Sequence, residues 1–335
     1  MIKKIIFIAF LFLSFNSFGQ DIDELRKKAS TSSDNELVVF IKKAKDQGLS
    51  LMDAEKQLIL IGAILILLTN NVKGQSIFNY DSTGIQLQKL ASRIQEDTLL
   101  RNRLNADSIF TRSLVQTLKS PYSFKYTFDS LTAIKHIVSP DGRFKFFSWQ
   151  VDLGDGTYRQ RGAMQFPSNE GQLKLLPFFD NSDFVQNNTL GVFDRKKWIG
   201  AIYYDIIPMQ YNDQTIYTFL GFDENNTSVS KKTIEVVRFE NDEPILGGDF
   251  FKFIPDPTYP IGTIDRFIYS FKKGSNAIIK YEKLQNRIMI SELASTDNDL
   301  KKQETLVPSG NFKYFAWINN KWELSIKEEN TFKKK

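Results

Sequence analysis

The sequence predicts an α+β protein: a small N-terminal helical unit followed by a large antiparallel β domain, either a barrel or a sandwich. Apolar residues recur at a helical period within residues 20–120, whereas residues 121–332 consist of short aromatic and β-branched runs separated by turn residues. We place the domain boundary where this texture changes. The chain has no cysteine, so its stability must come from buried apolar surface, which 29 phenylalanines and 41% hydrophobic residues can supply.

Residues 1–19 have the order of a cleavable secretory signal peptide. Lys3 and Lys4 precede an apolar run. Ser17 and Gly19 lie three residues and one residue before the Gly19–Gln20 bond, and signal peptidase requires small side chains at these two positions. A helix that spans a bilayer needs roughly 20 apolar residues, and polar residues interrupt this run earlier. We expect a mature chain from Gln20 onward that has no integral membrane span and resides in the periplasm or the extracellular medium. A permanent anchor is the alternative.

Four helices are predicted before the β domain. The first covers residues 35–47, and the second continues into the apolar segment Leu58–Leu68. A helix that is apolar on all sides is usually buried on all sides. We therefore expect this segment at the centre of the helical unit or against the β domain, with contact to a membrane as the alternative. Two further helices are predicted over Gly84–Gln95 and Ala106–Leu118, the latter capped by Asn105.

The β domain is predicted from short runs with turn residues between them. The expected strands lie near Ser123–Asp129, Ile134–Val138, Phe144–Val151, Tyr158–Phe166, Leu173–Phe178, Ile199–Gln210, Thr215–Phe222, Thr233–Phe239, Phe250–Ile254, Phe267–Lys272, Ala277–Tyr281, Arg287–Glu292, Phe312–Ile318 and Trp322–Ile326. Short connections such as Asn212-Asp213, Lys273-Gly274-Ser275 and Asn319-Asn320 favour antiparallel hairpins. A propeller would need more strands than these, so a barrel or a sandwich is preferred.

Two segments of the β domain are similar to each other. Pro140–Trp149 and Pro308–Trp317 share Pro, Gly, Phe, Lys, Phe and Trp at equivalent positions. We hypothesise that they are two turn-plus-strand units that pack as neighbours and close the domain. Ordinary Pro-Gly turns that lead into aromatic strands are the alternative.

Four segments also form a recognisable set: Ser139–Trp149, Tyr203–Ile207, Tyr217–Asn226 and Lys232–Val237. Together they resemble a family of exported proteins from Bacteroidota, and the likeness covers roughly residues 110–330. That family has no established activity. The resemblance therefore implies export, and it implies no catalytic or binding residue.

The residue inventory excludes several chemistries. His136 is the only histidine and cysteine is absent, which excludes His-rich zinc sites, Cys-His nucleophile pairs and the usual ligation of haem or iron–sulfur clusters. A Ser-His-Asp triad would need His136, which alternates with Ile134 and Val138 on one strand face and is expected to be structural. The chain also lacks a phosphate loop, a GxSxG elbow and a dinucleotide fingerprint. We predict no cofactor and name no catalytic residue.

Carboxylates remain as candidates for chemistry. A glycosidase needs only two of them about 5–10 Å apart, and acids near turns are found at Asp141, Asp152, Asp155, Asp205, Asp223 and Glu224. Calcium prefers such hard oxygen ligands. Asp152 with Asp155, and Asp223 with Glu224 and Asn225, are therefore weak calcium candidates, although neither group fits the twelve-residue calcium loop. Acids also occur in turns for conformational reasons alone.

Aromatic residues are the other candidates for binding. Trp149, Tyr203, Tyr217 and Trp317 could present flat faces to a sugar or a protein, although most rings of such a chain are expected in its core. The formal net charge is only +5 and basic residues are mixed with acids, which predicts no nucleic-acid partner. We expect an exported soluble protein that binds a protein or glycan partner without catalysis. The alternative is a carboxylate-dependent hydrolase of an extracellular or cell-surface polymer.

Overall fold

The computed structural model describes residues 80–168, 171–253 and 264–325. All of them belong to one compact unit, Asn79–Lys335. In the described residues, two helices precede three largely antiparallel sheets that are not closed into a barrel, and this confirms the predicted α+β class. The leader at residues 1–19, the helix at residues 35–47 and the apolar segment Leu58–Leu68 lie outside the described residues.

The two helices are α1 (Tyr80–Glu96) and α2 (Leu100–Leu118). Helix α2 begins earlier than the sequence predicts: its N-cap is Leu99, without a side-chain cap, and Asn105 lies inside the helix. The predicted cap at Asn105 is therefore wrong. The link between the helices is stabilised by Arg103, whose guanidinium donates to the carbonyl oxygens at positions 97 and 98.

The strands are numbered in chain order. The first sheet, in the order β1-β2-β3-β4, contains β1 (Lys135–Val138), β2 (Lys145–Asp152), β3 (Tyr158–Phe166) and β4 (Lys174–Phe179). The central sheet contains β5 (Phe193–Asp194), β6 (Ile202–Tyr211), β7 (Gln214–Asp223), β8 (Val229–Glu240), β9 (Glu243–Leu246) and β11 (Phe267–Lys272). The last sheet contains β10 (Phe251–Lys252), β12 (Ile279–Glu282), β13 (Arg287–Ser295), β14 (Leu306–Ile318) and β15 (Lys321–Ser325). Only β10 and β15 form a parallel pair among the described strands.

Three apolar clusters separate these elements into four layers. The helices cover one face of the first sheet, where Phe110 of α2 packs on Trp149 of β2. The other face of the first sheet meets the central sheet through Phe146 and Phe219. The far face of the central sheet packs on the last sheet, which contributes Phe315. The order is thus helices, first sheet, central sheet and last sheet.

Strand β7 shows why the central sheet lies inside this stack. Its residues from Ile216 to Gly221 are all buried. Tyr217 and Phe219 belong to the cluster shared with the first sheet, whereas Ile216 and Leu220 belong to the cluster shared with the last sheet. Because successive side chains of a strand point to opposite faces, a strand covered on both sides must be apolar at nearly every position.

The predicted strand Ser123–Asp129 is wrong. A 3₁₀ helix covers Ser123–Lys125, and Tyr122 and Phe128 have positive φ angles of 62° and 57°. Positive φ angles at these two residues bend the backbone out of an extended path. The buried ammonium group of Lys145 donates to two carbonyl oxygens of the bent segment.

The two similar segments do not pack as neighbours, so the hypothesis that they close the domain is wrong. Strand β2 lies in the first sheet and β14 in the last. Trp149 belongs to the cluster under the helices, whereas Trp317 packs against the cluster between the central and last sheets. Pro308 is moreover part of β14 rather than of a turn. The Asn212 and Asn319-Asn320 turns do join hairpins, with positive φ angles at all three asparagines.

Candidate functional site

Two open cavities meet at one arginine on the seam between the first and central sheets. The larger, of about 590 Å³, is lined by Arg143, Phe166, Pro167, Leu173, Lys174, Leu175, Leu176, Asn241, Asp242 and Glu243. The smaller, of about 320 Å³, is lined by Asp141, Arg143, Gln214, Thr215, Tyr217 and Phe239. We call the two together the Arg143 groove. Sites for small ligands typically have volumes of roughly 300–1,000 Å³, so the groove has room for a ligand.

A tight turn places Arg143 at the mouth of the groove. Gly142 has a φ of 71°, and its N–H donates to the carbonyl oxygen of Ser139 at 2.8 Å. The Ser139 hydroxyl and the Arg143 N–H both donate to Oδ1 of Asp141, at 2.7 and 3.2 Å. The turn thereby delivers Arg143 directly before β2, where its guanidinium lies 4.2 Å from the centre of the Phe239 ring.

Asp141 is occupied by hydroxyl groups. The Tyr217 hydroxyl donates to Oδ2 of Asp141 at 2.5 Å. Partial burial raises the pKa of Asp141, but hydrogen bonds from Tyr217 and Ser139 outweigh it and hold this pKa below its usual value. Burial, followed by the contact with Asp141, raises the pKa of Tyr217 to about 12. At neutral pH the pair is therefore an ionised carboxylate and a neutral phenol.

The charged side chains of the groove differ in whether they form ion pairs. Arg143 forms no ion pair with an acid of the described residues. Lys174 is exposed on the rim. Of the two acids on the facing turn, Glu243 is paired with Arg195 at 2.9 Å, and Asp242 forms no ion pair with the described residues. Two cations and two acids outside ion pairs, Asp141 and Asp242, thus line the groove, beside half-buried apolar side chains such as Phe166.

A second polar cluster surrounds Gln160, deep between the first and central sheets. Gln160 donates from its side chain to Asp223 at 2.7 Å and from its backbone to Asp180 at 2.9 Å. Burial raises the pKa of Asp223 to about 6. The cavity that Asp223 borders measures only about 20 Å³, which is enough for about one water molecule. A sugar ring does not fit into a cavity of this volume.

A buried ion pair adjoins this cluster. Arg266 donates to Glu235 at 2.7 Å, and both side chains are almost fully buried. The Tyr203 hydroxyl donates to the other Glu235 oxygen at 2.5 Å and accepts from the Trp198 indole at 2.9 Å. Burial and the Glu235 charge raise the pKa of Tyr203 well above its usual value. Because every member has partners inside the protein, this network stabilises the seam between the sheets.

The aromatic candidates have different environments. Trp149 is buried and donates to Asp107 at 2.8 Å, and Tyr203 is buried in the network just described. Trp317 is half-buried against Trp322, with ring centres 5.3 Å apart. Only Tyr217, among these four, reaches the Arg143 groove with its hydroxyl.

His136 has a structural environment. Its Nε2 lies 3.0 Å from the carbonyl oxygen of Leu131, and its ring packs near Phe128 and Phe147. Burial lowers its pKa. Among the described residues, no carboxylate or serine hydroxyl is hydrogen-bonded to this ring, so the contacts of a catalytic triad are not formed here.

The calcium candidates are occupied in their own turns. Asp152 accepts from the Gly154 N–H at 2.7 Å, and Asp155 accepts from the backbone and hydroxyl of Thr157. Asp223 accepts from the Asn225 N–H at 2.9 Å. Within residues 80–168, 171–253 and 264–325, His, Cys, Asp and Glu form no group of three or more that could hold a metal ion.

The remaining acid candidates are also accounted for. Glu224 is paired with Lys273 at 2.9 Å. Asp205 lies at a bulge of β6, where burial raises its pKa and its carboxylate accepts from the Ile206 N–H. The structure does not bring either acid to the Arg143 groove.

Most residues of the groove are not predictable from the sequence. Asp141 and Tyr217 were among the candidates, but Arg143, Phe239 and Leu175 were not. The available signal was the turn before β2, which ends in an arginine followed by an apolar strand. The contact of Arg143 with β8 joins residues far apart in the chain, and no local pattern predicts it.

The described part of the chain contains no helix with the length and apolar character needed to span a bilayer. Comparisons with protein-family models, curated proteins and solved structures found no match to this chain.

Proposed function

We propose that this chain is an exported, non-catalytic binding protein whose ligand occupies the Arg143 groove and carries a negatively charged group. This proposal rests on the guanidinium of Arg143, which lies over the Phe239 ring and lines both cavities. It forms no ion pair with an acid of the described residues. Arginine binds carboxylate and phosphate groups through paired hydrogen bonds. A guanidinium already held by an aromatic ring loses less conformational freedom on binding.

The rest of the groove supports this proposal. Leu173, Leu175 and Leu176 provide apolar walls for the uncharged part of a ligand. The face of Phe239 is covered by Arg143, so a neutral sugar has no free ring there on which to stack. An anionic ligand with an apolar portion therefore fits the groove better than a neutral glycan.

The acids of the groove support a non-catalytic role. Asp141 has a lowered pKa and accepts several hydrogen bonds, so it is a poor general acid and a poor base. Glu243 is held by Arg195. A general acid or base is most effective when its pKa lies near the working pH, and the lowered pKa of Asp141 does not meet that requirement.

Export is proposed on the leader-like residues 1–19, on the absence of cysteine and on the resemblance to exported proteins of Bacteroidota. The test is the intact mass of the protein purified from its native host or from a secreting bacterial host. We expect a chain that begins at Gln20 and is recovered outside the cytoplasm. An uncut chain found only in the cytosol would contradict export.

The test of binding uses 8-anilinonaphthalene-1-sulfonate, a fluorescent probe that joins an anionic group to apolar rings. We expect saturable binding to the mature protein and an affinity at least about tenfold lower for Arg143→Gln, because a charge-assisted hydrogen bond contributes roughly 1.5–3 kcal/mol. Arg159→Gln removes an exposed arginine of β3 and is the matched control, with expected wild-type affinity.

Competition makes the result specific. Decanoate should displace the probe, whereas decanol, which has the same chain without the charge, should not. Equal probe affinity in the wild type and Arg143→Gln would refute the proposed site.

A further inference from the structure

The larger cavity of the groove lies beside a strand edge that pairs with no further strand among the described residues. Strand β4 is the outer strand of the first sheet and pairs with β3. Near its end, the carbonyl oxygen of Pro177 accepts from the Arg195 guanidinium at 3.3 Å, on the side away from β3. Proline has no N–H, and within a sheet it is found where that position faces away from a neighbouring strand. Both facts show that Pro177 directs its backbone groups outward.

The same geometry determines the direction of the backbone of Leu175. In an antiparallel strand, the N–H and C=O of one residue point to the same side, and this side alternates along the chain. Leu175 precedes Pro177 by two residues, so its N–H and C=O also point away from β3. Leu175 lines the cavity of about 590 Å³. Its donor and acceptor are therefore presented to whatever occupies the groove.

We infer that the ligand of the Arg143 groove is a short extended peptide segment, which adds to the first sheet beside Leu175 and places an acidic side chain on Arg143. This inference rests on the proposed function and names its ligand class. Peptides that add a strand to a sheet edge gain affinity from backbone hydrogen bonds and specificity from side-chain pockets. Here Leu175 provides the hydrogen bonds, and Arg143 with Lys174 provides complementary charge.

Strand β4 also limits what can bind there. Pro177 and its contact with Arg195 close the second half of the edge. A second copy of this chain could not pair along the whole of β4, because proline interrupts the ladder of hydrogen bonds. The open part therefore suits a short segment that is anchored by charge, rather than a long strand pairing.

The experiment selects binders from a phage-displayed library of random heptapeptides on the mature protein. We expect enriched peptides with Asp or Glu at one fixed position and apolar residues at alternate positions. Synthetic versions should bind Arg143→Gln at least tenfold more weakly than the wild type, and Arg159→Gln normally. Enrichment without a fixed acid, or equal affinity for Arg143→Gln, would overturn the inference.

A backbone test separates strand addition from other modes of binding. Methylation of single amide nitrogens along a selected peptide should weaken binding about tenfold at the one position whose N–H faces the carbonyl oxygen of Leu175, and little at the two neighbouring positions, whose N–H groups face away from β4. Leu175→Pro and Leu175→Ala both remove the Leu175 side chain from the groove, but only Leu175→Pro also removes the backbone N–H, so it should weaken peptide binding at least tenfold more than Leu175→Ala while the two variants bind the fluorescent probe alike. If Leu175→Pro fails to fold by circular dichroism, the methylated peptides still decide the question. A methylation scan in which no single position is sensitive would exclude strand addition.

The two proposals fail in different ways. Decanoate and probe binding that depends on Arg143, together with no enriched peptide, would overturn the peptide inference and leave the proposed function intact. Absence of all binding would overturn both.

Discussion

Lys145 is the residue with the least expected environment. It is only 1% exposed, and its ammonium group donates to the carbonyl oxygens of Phe124 and Tyr126 at 2.8 and 2.5 Å. The rings of Phe124 and Phe128 lie 5.4 and 5.2 Å from the charge. Burial lowers the pKa of Lys145 to about 8. The charge is thus stabilised by carbonyl dipoles and ring faces, which compensate only part of its lost hydration.

This environment makes stability depend on pH in the alkaline range. An unfolded lysine has a pKa near 10.4, so between about pH 8 and about pH 10 the unfolded chain binds more protons than the folded one. The free energy of unfolding should therefore rise across that window, by at most about 3 kcal/mol. Urea unfolding at several pH values measures it. In Lys145→Met the free energy of unfolding should not rise across this window, whereas in the exposed-site variant Lys135→Met it should rise as in the wild type. Parallel pH profiles for the wild type and Lys145→Met would contradict this account.

Single residues were predictable where their partners are close in sequence. The asparagine turns are examples, because an asparagine tolerates the left-handed backbone that a short hairpin needs. Arg143 and Lys145 were not recognised as special, since their partners belong to other elements. A charged residue beside an apolar strand is normally exposed, and only the fold shows that Lys145 is buried and that Arg143 lies on an aromatic ring without an ion pair among the described residues.

At the scale of elements, the carboxylate of Asp107 connects helix α2 to the first sheet. Asp107, which is 3% exposed, accepts from the Trp149 indole at 2.8 Å and from the Arg161 guanidinium at 2.7 Å. Phe110, one turn further along α2, packs edge-on against the same indole. A polar and an apolar contact thus determine together how α2 lies on β2.

We expect Asp107→Ala to lower the free energy of unfolding by about 2–4 kcal/mol, because the buried indole N–H loses its acceptor and Arg161 its partner. Asp107→Asn keeps an acceptor for the indole and should cost less. Asp183→Ala, at an exposed acid, is the control and should be close to neutral. Urea unfolding compares the three variants, and an effect of Asp107→Ala no greater than that of the control would show that the contact adds nothing.

Elements were predictable where the pattern of apolar residues is long. Strands such as β3 and β11 were placed correctly because alternation over several residues is a local signal. Strands β5 and β9 were missed, since they are short and depend on pairing with each other and with β8. The segment after α2 alternates apolar residues as a strand would, but two residues with positive φ bend its backbone, which the alternation does not reveal.

At the scale of the whole molecule, the central sheet is covered on both faces. The sequence did not predict which strands belong to which sheet, because strands of the first, central and last sheets have similar hydrophobic patterns. The hydrogen-bonded pairing of β8 with β7, β9 and β11 illustrates this: β11 comes late in the chain yet returns to the central sheet. Short connections predict hairpins, but they do not distinguish stacked sheets from a closed one.

The layered arrangement predicts a gradient of local stability. Backbone amides of β7 should exchange with solvent most slowly, because opening them requires separation of two apolar interfaces. Amides of the outer strands β4 and β12 should exchange faster. Native-state hydrogen exchange read by mass spectrometry compares these peptides directly. Equal protection of β7 and the outer strands would show that the layers open together.

The position of Trp322 near the end of the described residues bears on the order in which this protein folds. Its indole is fully buried and donates to Thr218 of the central sheet at 2.9 Å. Because β15 comes so late in the chain, a ribosome or a translocation channel must release nearly everything before the central sheet can acquire its second cover. Chains truncated before that hairpin would expose the apolar face of the central sheet, and quality-control proteases would degrade them.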